Sequence, residues 1–183
     1  MTPTEAAALA LHDRAALWNV GEARASEVVD AACDALVAGL DTPALRILAA
    51  CTRAEADYDV HDLLPPALDE LGLALQPADS TAGQEAAVRA LVRQLLADEL
   101  EPWELTFRIH RRYGHGLALT RRLAELDDEY GILEYGGSVR EIDAEVMAEA
   151  RRLAAVRTVA GRPEGPTPPP TTRHEPSAVK NEP

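Results

Sequence analysis

The chain has 183 residues, of which 31 are acidic and 18 are basic, so its formal charge is −13. Alanine and leucine together number 58 residues, valine and isoleucine only 16, and aromatic residues make up 4%. This composition favours helices and excludes a large sheet. Two cysteines exclude a disulfide scaffold, and no apolar run approaches the roughly 18 residues that a membrane span needs. The sequence therefore predicts an all-α protein without a membrane partner.

The first fifty residues predict three helices. The first covers about 4–18, and the second covers about 23–38. Apolar residues recur in the second at three- and four-residue spacing, which predicts a buried face of Val28, Val29, Ala32, Cys33, Leu36 and Val37. Thr42 is predicted to cap a short helix that runs through Cys51. Pro43 follows it at the first helical position, where proline is favoured. Cys33 and Cys51 both stand among apolar residues at helical spacing. We therefore expect them to be small buried side chains and not nucleophiles.

The segment 57–62, Asp-Tyr-Asp-Val-His-Asp, is the densest group of potential metal ligands in the chain. It lacks the turn glycine and the final glutamate of a calcium loop, so no metal site is predicted there. Asp59 is instead predicted to cap a helix, with Asp62 favoured by the helix dipole in the first turn. Pro65 and Pro66 are predicted to kink or restart that helix.

Acidic side chains are concentrated in the first part of the chain. Residues 1–104 hold 19 acidic and 6 basic side chains and so carry the whole surplus. Such a surface repels phosphates, which argues against direct nucleic-acid binding, and it favours a basic protein partner. Four carboxylates that we expect on the surface are the candidate contacts with such a partner: Asp57, Asp62, Asp69 and Glu70. The alternative is a solvated surface that confers only solubility.

The middle of the chain predicts three more helices. Thr81 and Gln84 have the spacing of a capping box at the start of the first. Pro102 opens the second, and Gly114 ends it. The third covers about 117–130.

The last predicted helix opens at Ser138, three residues before Glu141, which is again capping-box spacing. Its apolar face consists of Ile142, Val146, Ala150 and Leu153. It completes seven or eight helices, which we expect to form a single compact bundle over residues 1–160. Residues 161–183 contain 7 of the 13 prolines and almost nothing apolar, so they are predicted to be a disordered tail.

One side of the predicted helix after Pro102 carries Trp103, Phe107 and His110, which are spaced by four and three residues. We expect this side to face the core, so that both aromatic rings and the histidine are buried. His110 and His115 are five residues apart across a predicted helix end. A helical metal pair needs four-residue spacing, so the sequence predicts neither a metal nor another cofactor. The arginines of residues 108–122 are predicted to form exposed pairs with the acids that follow them, which are Glu125, Asp127, Asp128 and Glu129. An anion site is the alternative.

Five short motifs resemble a group of small bacterial helical proteins of largely unknown function, some of which look like companion or immunity proteins of toxins. In chain order the motifs are Thr42–Ala50, Leu68–Leu73, Glu101–Glu104, Leu126–Tyr130 and Glu149–Leu153. The resemblance covers about residues 42–153, and it departs from the group at Ala50 and Leu105, where glycine is usual. It implies a helical fold and a protein partner, and it implies no catalytic residues.

These observations together predict a function in binding. No nucleophile motif or catalytic pair stands out, so we expect a protein that is not an enzyme. The first hypothesis is an acidic inhibitor or immunity partner of a basic bacterial toxin. The alternative is a self-associating helical scaffold or regulatory protein, for which a homo-oligomer is expected. The N-terminal apolar run has no basic residues before it and includes acids, which favours the cytoplasm over secretion.

Overall fold

The computed structural model describes residues 1–132 and 138–155. Over these ranges the chain is all-helical, with eight α-helices, a short 3-10 turn at Ala118–Thr120 and no strand. The α-helices are α1 (Pro3–Asn19), α2 (Ala25–Val37), α3 (Pro43–Ala49), α4 (Arg53–Glu70), α5 (Thr81–Leu96), α6 (Pro102–Tyr113), α7 (Arg121–Gly131) and α8 (Val139–Ala155). The predicted class and helix number are confirmed. The tail predicted at 161–183 lies outside the described residues.

Buried apolar side chains form two clusters, and α1 contributes to both. Leu11 and Ala15 of α1 pack with residues of α2, α3 and α4. Leu17, near the end of the same helix, packs with residues of α5, α6, α7 and α8. An ion pair between Asp13 and Arg93 also ties α1 to α5. The bundle therefore has two adjoining hydrophobic centres, which α1 joins.

The fourth helix begins at Arg53, earlier than the sequence predicted. The Thr52 hydroxyl accepts a hydrogen bond from the Glu55 backbone N–H, and the Glu55 carboxylate accepts one from the Thr52 backbone N–H. This reciprocal pair is a capping box, so it fixes the start of the helix at Thr52. The prediction that Asp59 is the cap is wrong, because Asp59 lies exposed in the second turn of a helix already under way.

The same helix continues through Pro65 and Pro66 without restarting. Each proline lacks an N–H, so the carbonyl groups of His61 and Asp62 lose their usual helical donors. All four residues are exposed, which leaves those carbonyls accessible to water. The opposite side of α4 is buried and holds the helix against its neighbours through Val60, Leu64, Ala67 and Leu68.

The capping box makes a measurable prediction about stability. Thr52→Ala is expected to lower the free energy of unfolding by about 1 kcal/mol, because the Glu55 N–H loses its acceptor. Asp59→Ala is expected to change it by less than about 0.5 kcal/mol, because an exposed side chain within a helix is lost. Urea denaturation of both variants measures the difference. A larger cost for Asp59→Ala would contradict the assignment of the cap.

The starts and ends of the later helices follow local sequence signals closely. Ser80 caps α5 by accepting from the Gly83 N–H, one residue before the predicted cap at Thr81. Pro102 occupies the first turn of α6, and Gly114 ends that helix with φ of +53°, both as predicted. The predicted apolar face of α8 is confirmed, since Ile142, Val146, Ala150 and Leu153 are all buried.

The buried face of α2 is narrower than the sequence predicted. Val28, Val29 and Ala32 are buried as expected, and Leu36 is half-buried, but Cys33 and Val37 are exposed. The reason is that Ala25, Ala32 and Ala35 occupy the buried positions, which turns the Cys33–Val37 edge outward. Cys51 is half-buried, so the prediction of two buried cysteines is wrong for Cys33.

Candidate functional site

A groove of about 590 Å³ lies between α3 and α4 and is called here the α3–α4 groove. Its lining combines four apolar or thiol-bearing residues with three carboxylates and one guanidinium. These residues are Ile47, Ala50, Cys51, Leu63, Glu55, Asp59, Asp62 and Arg46. Apolar surface beside several charges of one sign suits a ligand that is itself both apolar and charged.

The carboxylates reach the groove because of their spacing along α4. Glu55, Asp59 and Asp62 follow one another by four and three residues, so they share one side of the helix. Arg46 on α3 is held by Asp41, which forms two hydrogen bonds with its guanidinium. Because Asp41 neutralises that guanidinium, the three α4 carboxylates set the sign of the potential in the groove.

The thiol of Cys51 is affected both by its burial and by these carboxylates. Partial burial raises the pKa of its thiol, and the carboxylates of Asp59 and Glu55 raise it further. Both effects disfavour the thiolate, so the side chain stays protonated at neutral pH. Cys51 therefore contributes a neutral, weakly polar surface to the groove.

The four carboxylates predicted to contact a partner are all exposed, but the structure does not bring them together. Only Asp62 lines the groove. Asp57 points roughly 140° around the helix from Asp62, because the two are five residues apart. Asp69 follows Asp62 on the same side, two turns further along. The Glu70 carboxylate accepts a hydrogen bond of 2.8 Å from the Ala44 N–H in the first turn of α3, so its contact is structural.

The aromatic pair on α6 lies outside the core, contrary to the sequence prediction. Trp103 is 55% exposed and Phe107 is 47% exposed. The buried side of α6 is formed by Leu105, Thr106 and Ile109, which leaves the aromatic rings on the opposite side. The two rings therefore form an exposed apolar patch on α6.

A second group of polar residues gathers where α6 turns into α7. Gly114 has φ of +53°, and this turn brings the His115 ring edge-on to the His110 ring, with 5.0 Å between ring centroids. Asp128 of α7 lies against both rings, 3.7 Å from His110 Nδ1 and 3.2 Å from His115 Nε2. Asp127 Oδ2 is 2.9 Å from His110 Nδ1. We call these four residues the His–Asp cluster.

His110 is thus half-buried and bonded to a carboxylate, so the prediction of a histidine packed in the apolar core is wrong. Sequence spacing could not show the cluster, because its two carboxylates come from a different helix. The predicted pairing with the acids of residues 125–129 is confirmed for Arg122, whereas Arg108 and Arg112 pair with acids outside that group. Arg108 pairs with Glu104, Arg112 with Glu22, and Arg122 with Glu125, Glu129 and Glu145.

A wider groove of about 910 Å³ separates α1 from α5 and the connection at residues 72–76. Its walls are mostly apolar, and its two arginines are each held by a carboxylate. Arg89 pairs with Glu85, and Arg93 pairs with Asp13. The first of these pairs lies within α5, and the second ties α5 to α1.

No family model, curated protein or solved structure matches the chain. Within the described ranges, every helix is too short or too polar to cross a bilayer. The fold and the groove therefore define an all-helical protein with an acid-lined, partly apolar surface groove. The resemblance to small bacterial helical proteins remains a prediction.

Proposed function

We propose that the protein is a non-catalytic acidic binding protein whose α3–α4 groove takes a basic, partly apolar segment of a protein partner. The observation that carries the proposal is the row of Glu55, Asp59 and Asp62 along one side of α4, beside exposed apolar surface. Lysine or arginine side chains of the partner would pair with the carboxylates. An apolar side chain between them would cover Ile47 and Leu63.

Two physical arguments support a protein segment as the occupant. Ile47 in the groove lining and Tyr58, next to Asp59 on α4, are large side chains left exposed. Tyrosine is enriched at protein interfaces. The carboxylates add long-range attraction, which speeds the encounter with a basic partner and excludes acidic ones. Both features lie on the outer faces of two helices, where an extended or helical segment can dock.

The partner in this proposal is a basic bacterial toxin that the protein holds inactive. The support is the charge of the first 104 residues, which include the groove, and the resemblance to companion proteins of toxins. A toxin that acts on nucleic acid needs a basic surface to hold phosphates. An acidic protein seated on that surface would block its substrate.

A defined peptide tests the groove directly. The probe is a short fluorescent helical peptide with lysines on one face and leucines on the other, and fluorescence anisotropy measures its binding at several salt concentrations. The variant Asp59→Lys/Asp62→Lys is expected to bind it at least about tenfold more weakly than wild type, because two close charge pairs become repulsive. The affinity of wild type is expected to fall as salt rises.

A matched control separates the groove from the overall charge. Asp57→Lys/Asp69→Lys changes the net charge by the same amount on the same helix, outside the groove lining. It is expected to bind within about twofold of wild type, since exposed charges away from a contact are screened by salt. A peptide with serines in place of leucines is expected to bind more weakly. An equal loss in both double variants would mean non-specific attraction and would overturn the proposal.

The toxin hypothesis has its own test, because such a partner is expected to be encoded beside this chain. Expression of the neighbouring small basic protein is expected to stop growth, and co-expression of wild type is expected to restore it. Asp59→Lys/Asp62→Lys should fail to restore growth, whereas Asp57→Lys/Asp69→Lys should succeed. A neighbour that is harmless when expressed alone would contradict the toxin hypothesis.

The exposed Trp103 and Phe107 favour the second candidate, a self-associating scaffold, since paired aromatic rings are frequent anchors of interfaces. Sedimentation velocity of the purified protein distinguishes the candidates. A dimer that Trp103→Ala converts to a monomer would support the scaffold. A monomer at high concentration would argue for a binding protein with a separate partner.

A further inference from the structure

We propose that the His–Asp cluster is a binding site for a divalent first-row transition metal, with Zn²⁺ as the reference ion. His110, His115 and Asp128 would be the ligands, and Asp127 would orient His110. One donor atom from each of the three ligands lies within 4.8 Å of the donor atoms of the other two. The site lies on the end of α6, the following turn and α7, away from the α3–α4 groove, so it is independent of the proposed function.

The distances between donor atoms are close to those of an occupied site. Ligands that each lie about 2.1 Å from a tetrahedral zinc ion are roughly 3.4 Å from one another. The Asp128 carboxylate is 3.2 Å from His115 Nε2, close to that separation. Small side-chain rotations would therefore be enough to surround an ion, without movement of the helices.

The surroundings of His110 match those of a metal-binding histidine. Asp127 Oδ2 accepts from His110 Nδ1, while Asp127 Oδ1 accepts a hydrogen bond of 3.2 Å from the Thr106 hydroxyl. Thr106 is fully buried, so this chain of hydrogen bonds is anchored in the core. A carboxylate that fixes the ring and raises the basicity of the other nitrogen is the usual outer partner of such a histidine. With Nδ1 engaged in this way, Nε2 is the nitrogen left to bind the metal.

The donor chemistry selects the class of ion. Imidazole nitrogen suits zinc, cobalt, nickel and copper, whereas calcium and magnesium prefer all-oxygen sites. The carboxylates of Asp127 and Asp128 balance the two charges of a divalent ion. Because the side chains of His115 and Asp128 are about half exposed, water can complete the coordination. A bound ion would join the end of α6, the following turn and α7.

Zinc titration of the purified full-length chain tests the site. After removal of metals with a chelator, Zn²⁺ is added in competition with a chromophoric chelator, and the number and affinity of bound ions are measured. One ion per chain is expected for wild type. His115→Ala and Asp128→Asn are each expected to weaken binding by about tenfold or more, because a ligand is lost. Circular dichroism establishes that both variants are folded.

His61→Ala is the matched control, since His61 and Asp62 form an exposed His–Asp pair at 3.2 Å without a second histidine. It is expected to bind Zn²⁺ like wild type. Zinc is also expected to raise the melting temperature of wild type and not that of His115→Ala. Equal zinc affinity in wild type and in the variant His115→Ala/Asp128→Asn would overturn the proposal. A thiolate charge-transfer band on addition of Co²⁺ would assign the bound ion to cysteine and also overturn it.

Discussion

Ile109→Ala is expected to lower the free energy of unfolding by about 2–5 kcal/mol, whereas Trp103→Ala, on the same helix, is expected to lower it by less than about 1 kcal/mol. Ile109 is fully buried in the cluster that α5, α6, α7 and α8 share, so its truncation leaves a cavity. Trp103 is 55% exposed, so most of its surface is in water before and after unfolding. The smaller side chain therefore contributes more to stability.

Guanidinium denaturation of the two variants measures both costs under the same conditions. Leu105→Ala is expected to resemble Ile109→Ala, because Leu105 is buried one turn earlier on the same side of α6. Phe107→Ala is expected to resemble Trp103→Ala. If Trp103→Ala proved as costly as Ile109→Ala, α6 would have to be rotated, with its aromatic side packed into the bundle.

The error about Trp103 shows which part of the fold the sequence determines. Pro102 and Gly114 act through their own backbone geometry, so the ends of α6 could be predicted without knowing its neighbours. Which side of the helix is buried depends on the helices packed against it. Helical spacing alone predicted that Trp103 and Phe107 are inside, whereas Leu105 and Ile109 are the residues that pack in the cluster with α5, α7 and α8.

The start of α4 was predictable from the sequence, although the prediction placed it at Asp59. Thr52 and Glu55 have the spacing of a capping box, whereas Asp59 stands in a run of polar residues at 57–62 that also resembles a helix start. With the helix begun at Arg53, the four- and three-residue spacing of Glu55, Asp59 and Asp62 places them on one side. The acidic side of the groove follows from that periodicity, and its apolar side requires the packing of α3 on α4.

The His–Asp cluster was beyond prediction from spacing within one helix. His110 and His115 are separated by a helix end, and their five-residue spacing indicates no shared face. The rings meet because Gly114 turns the chain, and Asp127 and Asp128 meet them because α7 packs against α6. Two signals in the sequence were compatible with this arrangement: the glycine between the histidines, and the paired aspartates on the next helix.

Replacement of two helical glycines by alanine is expected to change the free energy of unfolding in different ways. Alanine is ordinarily about 1 kcal/mol better than glycine within a helix. At Gly83 in the first turn of α5, however, a Cβ atom would lie 2.1 Å from the Pro77 carbonyl oxygen. At Gly131, the last residue of α7, a Cβ atom would have nothing within 4 Å. Gly83→Ala is therefore expected to destabilise, and Gly131→Ala to be neutral or to stabilise by up to about 1 kcal/mol.

The cost at Gly83 is expected to be about 1–3 kcal/mol, because the atoms it would displace are held in place. The Pro77 carbonyl accepts hydrogen bonds from both the backbone N–H and the hydroxyl of Ser80, and the same hydroxyl caps α5 through Gly83. Moving Pro77 away from a new Cβ atom would thus loosen the cap as well. Thermal and urea denaturation of the two variants measure the contrast. Stabilisation by alanine at both positions would mean that the connection before α5 does not pack over Gly83.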